Sequence, residues 1–405
     1  MICKNHILFF LFLIPGALTL TAQECVILET EEVSKERAEI PGETMGQKLE
    51  SLLFWTQEER DRRFPIMHEI YPSIPVSTGN QITYLEGAKT ISPKWKDGTT
   101  LTTYMDDNHA KGVIVLQDNK IRLEEYADGI DHETLWTSFS VAKSVSSMLV
   151  GVALKEGDIK SLDDPLKKYI LDLDGHDYGN VTVRQLLTMT SGIDWNEDYE
   201  DPNSDVAQMY QSPCKGTEAH IMTYMKPLKT VHKAGTRWNY STGETDMAGI
   251  LVQKATGKSL AAYLSEKVWK PYGMEHCGYW LADECSNLNI GGSGLSASLR
   301  DFTRLGMLML NEGKVGDVSL LSEEYLEDAT SLLFPINDNG DGYGYLWWRF
   351  EDGSYAAFGI FGQMLYVNPH KNLVISQMAA WPRAGSEELA IGRQAFIDAV
   401  QRVID

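Results

Sequence analysis

The chain is short of positive charge. Its 36 lysines and arginines are outnumbered by 57 aspartates and glutamates, for a formal net charge of -21. Nucleic acids and anionic membrane surfaces demand basic patches, so neither is an expected partner. Beyond the N-terminus no stretch resembles a transmembrane helix. Metal-ligand spacing is missing too: no C-x-x-C occurs, no H-E-x-x-H occurs, and the 9 histidines are scattered. No G-x-S-x-G is present, which excludes a nucleophile elbow on a strand-to-helix turn. Lys254-Ala255-Thr256-Gly257-Lys258-Ser259 looks like a phosphate loop, but the pattern needs glycine where Val252 stands. Internal repeats and low-complexity tracts are absent. What remains is an ordinary soluble composition, 43% hydrophobic and 23% charged, in 405 residues that suit one large domain or two.

The N-terminus reads as a signal peptide over residues 1–22. Lys4 precedes an apolar core from Ile7 to Ile14, Pro15-Gly16 breaks it, and Leu20-Thr21-Ala22 offers a cleavage site before Gln23. Cleavage near Ala22 predicts a periplasmic or secreted bacterial protein with no membrane insertion once the signal is gone; a retained anchor is the alternative. Export implies an oxidising compartment. The mature chain then keeps Cys25, Cys214, Cys277 and Cys285, whose pairing sequence alone does not fix. Cys277 and Cys285 are close together in a segment of strand and turn character and are the first expected pair.

One stretch organises the rest. From Trp136 the chain runs Thr137-Ser138-Phe139-Ser140-Val141-Ala142-Lys143, then continues small and apolar to Lys155-Glu156-Gly157, which marks a helix end. A helix this apolar all round must be sheathed by other elements. Residues three apart share a helix face, so Ser140 and Lys143 stack. Ser140 also lies near the helix start, where free N–H groups favour developing negative charge. A serine hydroxyl is a weak nucleophile, and a desolvated lysine can serve as its base. By itself S-x-x-K is a weak signal. Ser212-Pro213-Cys214-Lys215 fits it as well, within a polar loop that opens no apolar helix.

Residues 23–45 are acidic and without periodicity, and are expected to form a flexible lead-in. Helical spacing follows from Leu49 to Tyr71. Gly112–Gln117 and Lys120–Tyr126 read as a hairpin turned at Asp118-Asn119. Further strands are expected over Tyr345–Phe350, Tyr355–Phe358, Met364–Val367 and Leu373–Gln377, with helices from Leu299 to Asn311 and over 387–403. Strands thus come early and late. The expected fold class is α+β: an antiparallel sheet built from both ends of the chain, flanked by helices, with a large mostly helical insertion. The sheet domain takes 46–157 and 326–405, the insertion takes 158–325, and the active-site cleft lies between them.

Two later segments complete a pattern. Arg237-Trp238-Asn239-Tyr240-Ser241-Thr242-Gly243 sets a tyrosine in a turn before an apolar helix, and Ala357-Phe358-Gly359-Ile360-Phe361-Gly362-Gln363 sets glycines at a strand edge. With Ser140-Val141-Ala142-Lys143, and in this order, they resemble the serine β-lactamase and penicillin-binding-protein superfamily, class C-like branch. Phe54–Arg60 and the run Leu186–Tyr199 are most similar to the 6-aminohexanoate-dimer hydrolases and related carboxylesterases. That resemblance implies the β-lactamase/transpeptidase-like fold, Ser140 as nucleophile, and a Lys143/Tyr240 base pair. It also implies an oxyanion hole from the backbone N–H groups of Ser140 and Ile360, and substrate contacts from Tyr199 and Gly359. No metal or organic cofactor is required. Thr242 stands where β-lactamases carry asparagine, and Ala357 or Phe358 replaces the K-T-G lysine, so efficient β-lactam hydrolysis is not expected. The expected activity is hydrolysis of small esters or amides. A D-amino-acid peptidase acting on cell-wall peptides, or a non-catalytic ligand-binding module, is the alternative.

Overall fold

Period-two alternation sorts the central strands into two cores. In the strand Ala110–Gln117, Ile114 and Leu116 face the main core while Val113 and Val115 face a smaller one. Its neighbour Leu373–Ala379 sends Val374 one way and Leu373 and Ile375 the other; Gln363–Asn368 does the same with Leu365 and Val367 against Met364 and Tyr366. A sheet apolar on both faces must be covered on both. The helix Leu299–Leu310 covers the main-core face, so closely that a side chain at Gly306 would meet Val374. The helices Leu101–Asp107 and Glu387–Gln401 cover the other, through Tyr104, Phe396, Ile397 and Val400.

The computed structural model describes residues 25–404. The signal peptide expected over 1–22 lies outside the described residues. The main sheet runs Phe334–Pro335, Gly342–Tyr343, Trp348–Arg349, Tyr355–Gly359, Gln363–Asn368, Leu373–Ala379, Ala110–Gln117, Lys120–Tyr126 and Glu86–Gly87, antiparallel except at the last pair. It is therefore the α+β fold anticipated, built from both ends of the chain. The hairpin turn falls at Asp118 and Asn119, both at positive φ. A second sheet, in the order Ser73–Val76, Gly278–Leu281, Leu295–Ser298 and Leu135–Thr137, ties the insertion back to the segment before the central helix. No helix among the described residues is long and apolar enough to cross a membrane.

Four expectations are corrected. The lead-in is ordered: Thr30 caps the helix Glu31–Glu39, whose Glu36 accepts hydrogen bonds from Arg62 at 2.9 Å and Arg63 at 2.8 Å. Its acidic composition looked like solvated chain because the basic partners lie elsewhere in sequence. The disulfides are Cys25–Cys277 and Cys214–Cys285, not Cys277–Cys285. Cys277 and Cys285 flank the strand Gly278–Leu281, whose extension carries them apart. Finally, the strand expected over Tyr345–Phe350 shrinks to Trp348–Arg349, because Leu346 turns to a φ of 61° and its carbonyl accepts the Ser144 hydroxyl at 2.6 Å. The expected continuous helical run to Tyr71 is also broken, into Met45–Ser51, Gln57–Arg63 and Met67–Ile70 with tight turns between.

Candidate active site

Ser140 sits where a strand gives way to the central helix. The Ser138 N–H donates to the Leu295 carbonyl at 2.8 Å, extending the pairing of Leu135–Thr137. Phe139 then takes a φ of 44°, a costly conformation for a bulky residue. The rings of Phe64 and Phe361 hold it, each 5.1 Å from its centroid. Ser140 follows at the N-cap of Val141–Glu156, and its hydroxyl makes no capping bond. A serine here ordinarily spends its oxygen on the helix; this one does not.

Lys143 lies one turn on, 1% exposed. Its Nζ donates to Thr242 Oγ1 at 2.8 Å and to the Gly292 carbonyl at 3.1 Å, and stands 5.5 Å from the centroid of the Tyr240 ring. Burial holds this amine below the usual lysine range, opposed by the carboxylates of Glu197 and Asp246. A neutral amine has two hydrogens, and these two acceptors use both, leaving its lone pair to receive a proton. Tyr240 stacks on Trp348 at 5.6 Å, and the Ser140 hydroxyl beside its phenol opposes the rise of its pKa. Burial first and the charge of Glu197 second push that phenol well above its usual value. Burial thus pushes the amine down and the phenol up, each toward its neutral form.

The strand Tyr355–Gly359 closes the site from the other side. A side chain at Gly359 would place its Cβ 2.6 Å from the Ser138 carbonyl oxygen, so glycine is what lets this edge touch the turn that carries Ser140. Ile360 is thereby brought beside Ser140, and both line one pocket together with Tyr199. The Tyr199 hydroxyl donates to Glu197 Oε1 at 2.6 Å. The structure thus gathers Ser140, Lys143, Tyr240, Tyr199, Gly359 and Ile360 around one cleft.

Two carboxylates were not singled out in the sequence. Glu197 accepts hydrogen bonds from the Thr242 N–H at 2.9 Å, the Thr242 hydroxyl, the Trp195 indole and Tyr199. Thr242 therefore links Lys143 to Glu197, which gives this departure from the asparagine pattern a role of its own. Asp246 accepts the Gly292 N–H at 2.6 Å; burial raises its pKa to about 7, with Lys143 opposing. The alternation of Trp195, Glu197 and Tyr199, and the four-residue spacing of Thr242 and Asp246, were the available signals. Among the described residues the one grouping with metal-ligand geometry is Cys214, His220 and Cys285, and its two sulfurs are joined in a disulfide.

Glu244, two residues after Thr242, adds a pH dependence of its own. It bonds the Ser191 hydroxyl, and its second carboxyl oxygen is buried without a partner. Burial raises its pKa from 4.5 to about 8, opposed by the Ser191 hydrogen bonds. Between those values the native state binds more protons than the unfolded chain, so stability falls as pH rises through the window. Glu244→Gln is expected to be nearly neutral at about pH 5 and to stabilise by about 2 kcal/mol at about pH 9. Thermal unfolding at the two pH values checks this.

A family model described as Beta-lactamase matches residues 99–397. The chain is similar to a 6-aminohexanoate-dimer hydrolase of Paenarthrobacter ureafaciens, 24% identical over 372 residues that cover 88% of this chain and 94% of that one. Among solved structures, a Bacillus anthracis protein provisionally named as a 6-aminohexanoate-dimer hydrolase superposes with a TM-score of 0.75 at 24% identity, covering 86% of this chain and 96% of the other. EstCE1, a hydrolase with promiscuous acyltransferase activity, superposes with a TM-score of 0.61 at 14% identity, covering 74% and 96%. These structures speak to the fold, which is the one described above. The family match spans most of the sequence, and the chain belongs to the β-lactamase family.

Proposed function

We propose that this protein is an exported serine hydrolase that cleaves small esters or amides through an acyl-enzyme on Ser140. The observation that carries the reading is Lys143: a fully buried amine, one helical turn from an uncapped serine, whose two hydrogen bonds fit its neutral form. Ser140 Oγ attacks the substrate carbonyl while its proton passes to the Lys143/Tyr240 pair. The Ser140 and Ile360 N–H groups stabilise the oxyanion, typically by ~3 kcal/mol per donor. The proton then goes to the leaving alcohol or amine, and the carbon–heteroatom bond breaks. Water, deprotonated by the same pair, releases the acyl group as the carboxylic acid and restores Ser140. The two disulfides support an oxidising compartment, consistent with export.

Esters and simple amides are favoured over penicillins by what stands at the K-T-G position. Ala357 packs into the main core, and Phe358 faces the opposite side of the sheet under the Arg393 guanidinium, 3.9 Å from its ring centroid. Neither supplies a cation for a β-lactam carboxylate. Intact mass after brief mixing with a nitrophenyl ester should show an acyl adduct that Ser140→Ala abolishes, with little adduct from penicillin. A long-lived penicillin adduct would move the reading to cell-wall peptide chemistry; no adduct from either probe would refute acyl-enzyme catalysis.

A further inference from the structure

Lys143 donates to two acceptors, and each acceptor is itself held by a carboxylate. Thr242 Oγ1 takes one hydrogen of the amine and donates its own to Glu197. The Gly292 carbonyl takes the other, and the Gly292 N–H donates to Asp246 Oδ1 at 2.6 Å. Glu197 is fully engaged, since Trp195, Tyr199 and both donors of Thr242 bond it. Asp246 is not. It is 0% exposed, and its second oxygen, Oδ2, is buried without a partner. An unpaired buried carboxyl oxygen is costly, and such an exception in a packed interior calls for an explanation.

Its place in the fold supplies one. Asp246 lies four residues after Thr242 on the helix Thr242–Thr256, so the two share a face. Gly292 joins that face to the base. A Cβ on Gly292 would fall 2.8 Å from Asp246 Oδ1 and 3.1 Å from Lys143 Nζ, so glycine is what lets carboxylate and amine close on one point. The hydrogen bond of Asp246 goes to Gly292 and not to the amine. Its influence on Lys143 therefore runs through Gly292 and through charge. The titratable groups that face it are Lys143 on the central helix, Glu197 in the loop before Asp205–Gln211, Tyr210 on that helix, and His220 on His220–Met225. Lys143 and His220 favour its ionised form; burial and Glu197 oppose it.

We propose that Asp246 is a positioning residue for the base: it pins Gly292 against the Lys143 amine, and its negative charge stabilises the ammonium formed when that amine takes the Ser140 proton. The inference rests on the serine-hydrolase reading above. Asp246→Asn and Asp246→Ala separate the two actions. Asparagine keeps an oxygen for the Gly292 N–H and loses the charge; alanine loses both. Without the charge the amine gives up its proton more readily. In both variants the limb of kcat/KM that climbs with pH should therefore lie about one pH unit lower. In the alanine variant kcat at the plateau should fall a further ~10- to 100-fold with KM little changed, because the amine is no longer held in place. A group that served stability alone would lower Tm and leave the limb where it is. A limb at the wild-type pH in Asp246→Asn, or equal plateau kcat in the two variants, overturns the proposal. Should these variants not fold, Gly292→Ala tests the same contact, since its Cβ forces carboxylate and amine apart. It should lose about tenfold or more in kcat, and an unchanged kcat overturns the pinning. Intact mass of the wild type mixed with a nitrophenyl ester keeps the two readings apart. An adduct on Ser140 with an unmoved limb removes only this proposal; no adduct removes the hydrolase reading and this one with it.

Discussion

Lys143→Met is expected to lower kcat about 10^4-fold on a nitrophenyl ester, with the protein still folded, because it removes the group proposed to take the Ser140 proton. A methionine fits the same channel without a charge. Activity and stability should part company here. The folded amine is held below its unfolded value of 10.5, chiefly by burial. Between the folded value and 10.5 the unfolded chain binds the extra proton, so stability rises with pH across that window and the lysine is a cost below it. Methionine relieves that cost but leaves the Gly292 carbonyl and Thr242 without a donor, a loss of about 1 kcal/mol each. The two effects oppose, so Tm at neutral pH should move by no more than about 4 °C. In the wild type, kcat/KM should climb with pH as the amine loses its proton, and this limb should vanish in the variant. A pH–rate profile with a thermal melt checks both. A methionine variant with near-normal turnover would mean that the base lies elsewhere.

The contrast between Lys143 and Glu197 shows how far the sequence could be read. Ser140 and Lys143 stand on one helix, and a helix has a fixed period, so their juxtaposition followed from counting residues. Tyr240 and Ile360 lie far off in sequence, and only the order of three motifs together pointed to them. Glu197 was in plain view in the run ending at Tyr199, but its partners Thr242 and Trp195 are set by how the loop folds back on the helix Thr242–Thr256. No local rule encodes that contact. The central strands were legible because alternation is local and both faces are buried. The disulfides were not, because Cys25 and Cys277 are 252 residues apart and proximity along the chain was the wrong guide. The N-terminal arm was misread for the same reason: Glu36 is anchored by Arg62 and Arg63, and a composition count sees the acid without the bases.

Gly359→Val is expected to cost about 10^2- to 10^3-fold in kcat, comparable to loss of an oxyanion donor, without touching any side chain that reacts. Its Cβ would begin 2.6 Å from the Ser138 carbonyl oxygen, and backbone on that side has little room to give. The turn it meets is already held in an unfavourable form: Phe139 at a φ of 44° and Phe361 at 60° flank the N–H groups of Ser140 and Ile360. Each such residue costs on the order of 1 kcal/mol or more. The packing that offsets this cost is visible, since Phe64 lies 5.1 Å from Phe139 and 5.3 Å from Phe361, and those two rings lie 5.1 Å apart. Arg60 caps the cluster, its guanidinium 5.1 Å from the Phe361 ring centroid. Pushing the strand outward should therefore move the Ile360 N–H away from the carbonyl oxygen while the aromatic cluster keeps Ser140 where it is. Ile360→Ala is the control, because the donor is backbone and survives the change; it should lose less than about tenfold. Measured kcat for the two variants separates the possibilities. Equal losses would mean that the isoleucine side chain matters more than its N–H, and a fully active Gly359→Val would place the oxyanion donor outside this strand.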